Sequence, residues 1–343
     1  MPFGSSYFLI FETLGFVAFI LIMAREIYQR NFIRIFELVS CAVFGMILEI
    51  GNTYLAHTYS YGADFLVNLA RVPVAIGLGW AVIVYCVMLL SDQYRVPWAL
   101  RPFMDALTAV ILDLAIDPIA IRLGLWRWTI PLDQEWYGVP FENLVGWILV
   151  VLSFSFLMRF LRTLNYKRLY TRILMVLSPF LAYFGLMLGL ALFSLIAILP
   201  YQINNWTILL QFQYSPDLAI LSDPQIVFWK TILFVIIMIE LVHIVVWSIV
   251  KYRRRFLRHF DLLSFLALAG IHLFFAMALF SSGLYRQMPF LVLISLGALS
   301  IHIILHLLPY LINPKTLYFF RSIRNITERE EEKVYELIED KFR

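Results

Sequence analysis

Residues 113–147 read DLAIDPIAIRLGLWRWTIPLDQEWYGVPFENLVGW. They close one apolar run, turn through a segment rich in Trp, Tyr and acidic residues, and open a second apolar run. Asp113 and Asp117 lie inside the first run, four residues apart, which puts both on one side of a helix. A charged side chain at the centre of a bilayer costs about 2.5–3.5 kcal/mol or more, so such residues face a site or a partner rather than lipid. Pro118 follows at once, and a proline inside a helix frees a backbone carbonyl that must find another donor. The stretch therefore reads as two membrane helices joined by a polar, aromatic turn.

The rest of the chain agrees with that reading. Of 343 residues, 62% are hydrophobic and only 15% are charged, and the mean hydropathy is +0.82. A soluble domain carries about 25% charged residues. Nine apolar runs have the length of a membrane span: 7–23, 35–57, 66–90, 98–123, 144–161, 173–199, 227–250, 262–280 and 289–311. Basic residues follow every second run. Arg25, Arg30 and Arg34 follow the first, Arg95 and Arg101 the third, and Arg159, Arg162, Lys167, Arg168 and Arg172 the fifth. Lys251, Arg253, Arg254, Arg255 and Arg258 follow the seventh, and Lys315, Arg321 and Arg324 the ninth. The positive-inside rule then places the N-terminus outside and the C-terminus in the cytoplasm. The fold class is all-α, a polytopic membrane helix bundle in the cell membrane, which is the cytoplasmic membrane if the source is prokaryotic.

Several function classes recede. The net charge of +4 comes from loop clusters that act as topology signals, so a nucleic-acid partner is not expected. Cys41 and Cys86 both lie in apolar runs and suggest neither a disulfide framework nor a thiolate metal site. Arg25 and Arg30 come after the first apolar run, the wrong order for a cleaved signal peptide, so that run reads as a retained helix. The basic loop 159–172 divides the chain into a five-helix part, 1–165, and a four-helix part, 166–312. The remainder, 313–343, is a cytoplasmic tail. Within it Thr327 and Glu330 can form a capping box ahead of an amphipathic helix carrying Val334, Leu337, Ile338 and Phe342.

Chemistry concentrates in two places. Asp113, Asp117, Glu49, Glu12 and Glu142 all fall in the half of the membrane that this topology makes the outer one, with Asn143 beside Glu142. A carboxyl in apolar surroundings can hold a proton near neutral pH, and a second carboxyl nearby separates an acid from a base. The bland alternative is that the acids pair with Arg71, Arg122 or Arg127 and only join helices. Trp126, Trp128, Trp136 and Tyr137 form either an interfacial aromatic belt or the rim of an apolar site whose ring faces stabilise a cation. The second place holds Glu240, His243, His272, His302 and His306, all at similar depth. Imidazoles and a carboxylate at one depth can bind zinc or iron, or can serve as helix-joining hydrogen bonds or a proton path.

The run 49–92 joins a Glu, a Tyr-x-Tyr-Gly turn, a Val-Pro and a mid-helix Trp. The run 113–147 adds Asp-x-x-x-Asp-Pro, Gly-x-Trp-x-Trp, Tyr-Gly-Val-Pro and Asn-x-x-Gly-Trp. In the order and spacing of these motifs the chain resembles the membrane-embedded carotenoid biosynthesis proteins, which include the carotenoid 1',2'-hydratases and the bisanhydrobacterioruberin hydratases. The resemblance covers about residues 36–162. It implies a hydro-lyase that adds water to a terminal carbon–carbon double bond of a long isoprenoid, with other enzymes of carotenoid synthesis as possible partners. The acid chemistry of the residues agrees. Asp113 or Asp117 is the expected proton donor, with Glu49 or the other aspartate positioning water. Tyr59, Tyr61 and Tyr137 can complete a proton network. Trp80, Trp126 and Trp128 can flank the polyene, and Glu142 and Asn143 can contact it. The lipid-soluble substrate enters sideways from the membrane, and no cofactor is expected. Two alternatives stand beside this reading: an intramembrane metalloenzyme built on the Glu240 and histidine set, and a proton-coupled transporter using the buried acids as relays.

Overall fold

The computed structural model describes residues 4–56, 58–164, 168–204, 224–256 and 260–312. The amphipathic helix expected in the tail lies outside these residues. Nine long helices are described: α1 (Gly4–Tyr28), α2 (Phe32–Ile50), α3 (Val74–Gln93), α4 (Arg101–Leu123), α5 (Phe141–Thr163), α6 (Leu169–Asn204), α7 (Pro224–Tyr252), α8 (Leu262–Ser281) and α9 (Pro289–Ile312). Four short strands lie in the connections: β1 (Tyr59–Tyr61), β2 (Asn68–Leu69), β3 (Val72–Pro73) and β4 (Trp126–Trp128). The chain is thus all-α. Among the described residues seven helices are long and apolar enough to cross a membrane, namely α1, α3 and α5 to α9. The nine expected spans become seven by this measure. The two that fall short carry the polar side chains: Arg34, Glu37 and Glu49 in α2, and Arg101, Asp105, Asp113, Asp117 and Arg122 in α4.

The packing explains how α4 bears such a load. It is the central helix, in contact with α3, α5, α7, α8 and α9. Asp105, Asp113 and Asp117 are buried between neighbours, so they meet protein rather than solvent or lipid. Three of those five neighbours belong to the C-terminal part, which therefore packs directly against the N-terminal helices. Lipid is as apolar as leucine and gives little drive for helices to associate. Close packing and polar ties must hold such a bundle together.

The ties gather at one end. Asp92, at the end of α3, accepts hydrogen bonds from Arg34 of α2 (2.7 Å), Arg101 of α4 (2.8 Å) and Arg159 and Arg162 of α5. Glu37 accepts from Arg34 and Arg162, and Asp105 from Arg159 (3.0 Å) and Ser155 (2.6 Å). Four guanidiniums and three carboxylates thus lock four helices together. Arg34, Arg101, Arg159 and Arg162, which the sequence offers as topology signals, stand here in buried and half-buried ion pairs. Two further ties join α1 to α8. Arg25 meets Asp261 at 2.7 and 2.8 Å at this end, where Asp261 also caps α8 through the Ser264 amide. Tyr7 and Ser281 hydrogen-bond at 2.9 Å at the opposite end.

The connection from α2 to α3 differs from expectation. A span beginning at residue 66 fits the apolar composition, but α3 begins at Val74. Glu12 of α1 accepts the backbone N–H groups of Leu66 (2.9 Å) and Val67 (3.1 Å) and holds the segment out of helical register. Ala70 and Arg71 then take positive φ angles of 49° and 61° in a two-residue turn between β2 and β3. Glu12 is thus committed to the backbone.

Candidate functional site

At the end opposite the arginine network, α2 closes with Glu49 and continues as a wider helical turn, Gly51–Ala56, into β1. β1 pairs antiparallel with β4, setting Tyr59 opposite Trp128, Ser60 opposite Arg127 and Tyr61 opposite Trp126. Alternate side chains of a strand point to opposite faces, and directly paired residues share a face. The four aromatics therefore cover one side of the ribbon, and Ser60 and Arg127 take the other. Tyr-Ser-Tyr and Trp-Arg-Trp carry this alternation in the sequence, and it is the signal for the ribbon that the helical reading passes over. Two glycines permit the crossing. Gly124 ends α4 at φ +76°, and a side chain at Gly62 would lie 2.4 Å from the Gly124 carbonyl.

Beneath the ribbon lies a cavity of about 290 Å³, almost entirely apolar in its walls. Its polar end is formed by Glu49, Asp117, Asn143, Tyr59 and Tyr61, with Trp80, Trp126, Trp128 and Trp147 around them. Glu49 is fully engaged. One carboxylate oxygen accepts from the Tyr59 and Tyr61 hydroxyls and the other from the Trp80 indole at 2.7 Å. Burial, and then the Glu49 carboxylate, hold both phenols well above the usual tyrosine range. Trp80 and Trp147 lie with ring centroids 4.3 Å apart, and Tyr59 lies 4.5 Å from Trp128.

The two aspartates separate in role. Asp117 lines the cavity, whereas Asp113 is fully buried behind it. Asn143, in the first turn of α5, joins them: its amide nitrogen donates to Asp117 at 2.5 Å and to Asp113 at 3.2 Å. Among the described residues neither aspartate is ion-paired with an arginine. Arg122 binds the carbonyls of Pro118, Leu132 and Tyr137 instead. The second Asp113 oxygen and the Trp128 indole nitrogen are buried with no hydrogen-bond partner among the described residues.

Pro118 removes the donor for the carbonyl four residues earlier, that of Leu114. The Trp136 indole takes that carbonyl at 3.0 Å, so its polar atom is structural. Tyr137 packs on Trp136 and stands outside the cavity lining. Glu142 is outside as well, paired with Lys230 of α7 at 2.6 Å. Lys230 also reaches Glu135 at 3.7 Å. Burial, and then the neighbouring Glu142, push the Glu135 carboxyl up despite Lys230. Of the eleven residues expected at this site, nine gather around the two carboxylate centres, and Tyr137 and Glu142 support the connecting loop.

Sequence reasoning missed Trp147 and one whole wall. Leu14, Ala18 and Leu21 of α1 and Leu266, Ala267, Gly270 and Phe274 of α8 line the apolar arm of the cavity. Several of them are open to the membrane side, with Leu21 and Leu266 about half exposed. The cavity is thus flanked by exposed apolar side chains of α1 and α8.

The second polar set does not assemble. Glu240 and His243 pair with each other at 3.5 Å on an exposed flank of α7. His272, His302 and His306 lie buried between α8 and α9, where His272 and His302 hydrogen-bond at 3.2 Å and His306 contacts the His302 carbonyl at 3.0 Å. Among the described residues no group of three or more His, Cys, Asp or Glu side chains is placed to hold a metal ion.

Comparison with known proteins gives two matches. The family described as "Carotenoid biosynthesis protein" matches residues 5–209, more than half of the chain and further in both directions than the motifs alone suggest. The bisanhydrobacterioruberin hydratase of Haloarcula japonica is 34% identical over 74 residues, which cover 20% of this chain and 24% of that protein. The chain therefore matches about a quarter of the length of this curated relative. No solved structure matches.

Proposed function

This chain belongs to the carotenoid biosynthesis protein family, and from that premise we propose that it adds water to a terminal carbon–carbon double bond of a long acyclic isoprenoid. One observation carries the reading: an apolar cavity, flanked by exposed apolar side chains of α1 and α8, ends in a carboxyl, a fully hydrogen-bonded carboxylate and four tryptophan rings. Asp117 is the proton donor. Two carboxyls in direct contact and bridged by one amide favour holding a single proton between them, and Asp117 presents it to the cavity. Its transfer to the less substituted alkene carbon leaves a positive charge on the tertiary carbon. The Trp80, Trp126, Trp128 and Trp147 faces and the Glu49 carboxylate lie around that position and oppose the charge. Water then bonds to the cation, and its extra proton passes to Glu49 or returns to Asp117. The free Trp128 N–H is suited to holding the incoming water or the new hydroxyl. The alkene π pair forms the new C–H bond and a water lone pair the new C–O bond, with no net oxidation or reduction, so the reaction calls for no redox cofactor.

We also propose that α2 and α4 cross the membrane with the other seven helices, shielded by them. The N-terminus then lies outside, the C-terminus in the cytoplasm, and the site in the outer half of the cell membrane. The test is a product assay. Cells making lycopene, an acyclic carotene, should form a hydroxylated product when they express this protein. Its oxygen should come from labelled water. Incorporation of label from molecular oxygen rules out hydration.

A further inference from the structure

The apolar arm of the cavity has a feature that the acid chemistry does not require. Of the three glycines that line it, Gly15 of α1 packs close against Ala75, and the other two, Gly79 of α3 and Gly270 of α8, lie on different walls. A β-carbon added at either would meet no atom within 4 Å. Most glycines inside membrane helices allow close packing of a neighbour. These two face open space within the cavity instead. Their neighbours on the same walls are larger: Ile76 and Ile83 on α3, Leu266 and Phe274 on α8.

Gly270 stands partway along the arm. The α8 lining runs from Leu263 to Phe275, about 18 Å at 1.5 Å per residue. Gly270 lies about 7.5 Å from the Phe275 end, where Phe11 contacts both Phe275 and Trp126, and about 10.5 Å from the Leu263 end. A leucine or phenylalanine side chain there would cross the arm and leave only the portion beside the carboxylates. Gly79 is adjacent to Trp80, whose indole holds Glu49, so a side chain there would narrow the arm where it meets the polar end.

We infer that Gly79 and Gly270 set the length and width of chain that the cavity accepts, and that their missing side chains make room for a rigid, extended polyene behind the reacting double bond. This deepens the hydratase reading and rests on it for the chemistry, though not for the binding. A short isoprenoid with the same isopropylidene end needs only the polar end. A long one must pass both glycines.

The test compares lycopene with geraniol, a short isoprenoid alcohol with the same terminal group, in wild type, Gly270→Phe, Gly79→Leu and Gly297→Phe. Gly297 of α9 also faces open space but lies outside the cavity lining, so it controls for a bulky side chain in a membrane helix. Binding is read as quenching of tryptophan emission by the polyene, and turnover as hydroxylated product. The ratio of lycopene to geraniol turnover should fall at least tenfold in Gly270→Phe and Gly79→Leu. Lycopene quenching should weaken alongside, and Gly297→Phe should match wild type. Thermal unfolding in detergent shows whether each variant is folded, and either variant alone suffices. Unchanged lycopene binding and turnover ratio in a folded Gly270→Phe or Gly79→Leu overturns the inference. Wild type that binds lycopene without hydrating it overturns the hydratase reading and leaves the inference supported when the variants lose binding. Wild type that does not bind lycopene overturns the inference itself.

Discussion

Asp117→Asn separates the proton donor from its surroundings better than any other single change. Asparagine has nearly the same shape. Asp117 has no arginine partner among the described residues, and besides Asp113 and Trp126 it meets the Asn143 amide at 2.5 Å. An asparagine oxygen still accepts that bond, so stability should change by no more than about 1 kcal/mol, the scale of one neutral hydrogen bond. Catalysis should suffer far more. Loss of a positioned general acid typically removes about 10²–10⁴-fold in rate, or about 3–5 kcal/mol of barrier at 1.36 kcal/mol per tenfold. Asp113→Asn is the companion. Asp113 does not line the cavity and reaches Asp117 both directly and through Asn143, at 3.2 Å. Its loss should equal about one charge-assisted hydrogen bond, about 1.5–3 kcal/mol, or about 10–150-fold. The assay is hydroxylated product from lycopene in membranes containing matched amounts of folded protein. Asp117→Asn within tenfold of wild type refutes the donor assignment. A larger loss in Asp113→Asn than in Asp117→Asn reverses the order of the pair and shows that the cavity reaches the inner carboxyl.

Trp136→Phe should leave the Leu114 carbonyl without a donor and destabilise the protein by about 1–3 kcal/mol, seen as a lower thermal midpoint in detergent. In a Pro118→Ala background the new amide can take that carbonyl itself, so the same change should cost much less there. Strictly additive effects of the two substitutions refute the pairing. The tyrosines predict a pH dependence. Tyr59 and Tyr61 have folded-state values above the ordinary tyrosine value of about 10. The stability linked to them is therefore complete below about pH 10 and is lost as pH rises through their folded-state values. Compared with Tyr59→Phe and Tyr61→Phe, wild type should show no phenolate absorbance from these residues at pH 10 while it remains folded. Reversible ionisation of both in folded protein at that pH refutes the burial.

What the sequence discloses follows from the physics of each signal. Apolar runs near twenty residues long mark membrane helices, because the bilayer fixes their length. Charges inside such runs stand out, so Glu49, Asp113 and Asp117 are legible as a candidate site. Depth can be counted along a helix, but the direction a side chain faces depends on which helices pack where. That is why Glu240 and His243, at the depth of the buried histidines, turn out on the exposed flank of α7. It is also why α8 shows no sign of lining the cavity: an all-apolar helix has no amphipathic stripe to orient it. The start of α3 is hidden for a different reason. Leu66, Val67, Leu69 and Val72 are as apolar as a span, and only the distant Glu12 carboxylate reveals that their backbone is held by other means.

The two ties between α1 and α8 bear on how a guest reaches the acids. Arg25–Asp261 and Tyr7–Ser281 sit 18 residues apart along α1, about 27 Å at 1.5 Å per residue. They make the gap between these helices a slot stitched at top and bottom rather than a cleft that opens like a jaw. A stiff chain cannot slide in lengthwise from either membrane surface past a closed stitch. On the proposed reading it would enter between the two ties, past the exposed apolar side chains of α1 and α8. On that same reading, loosening either stitch would admit chains by a route that wild type does not offer, with the apolar slot no longer the single way to the acids.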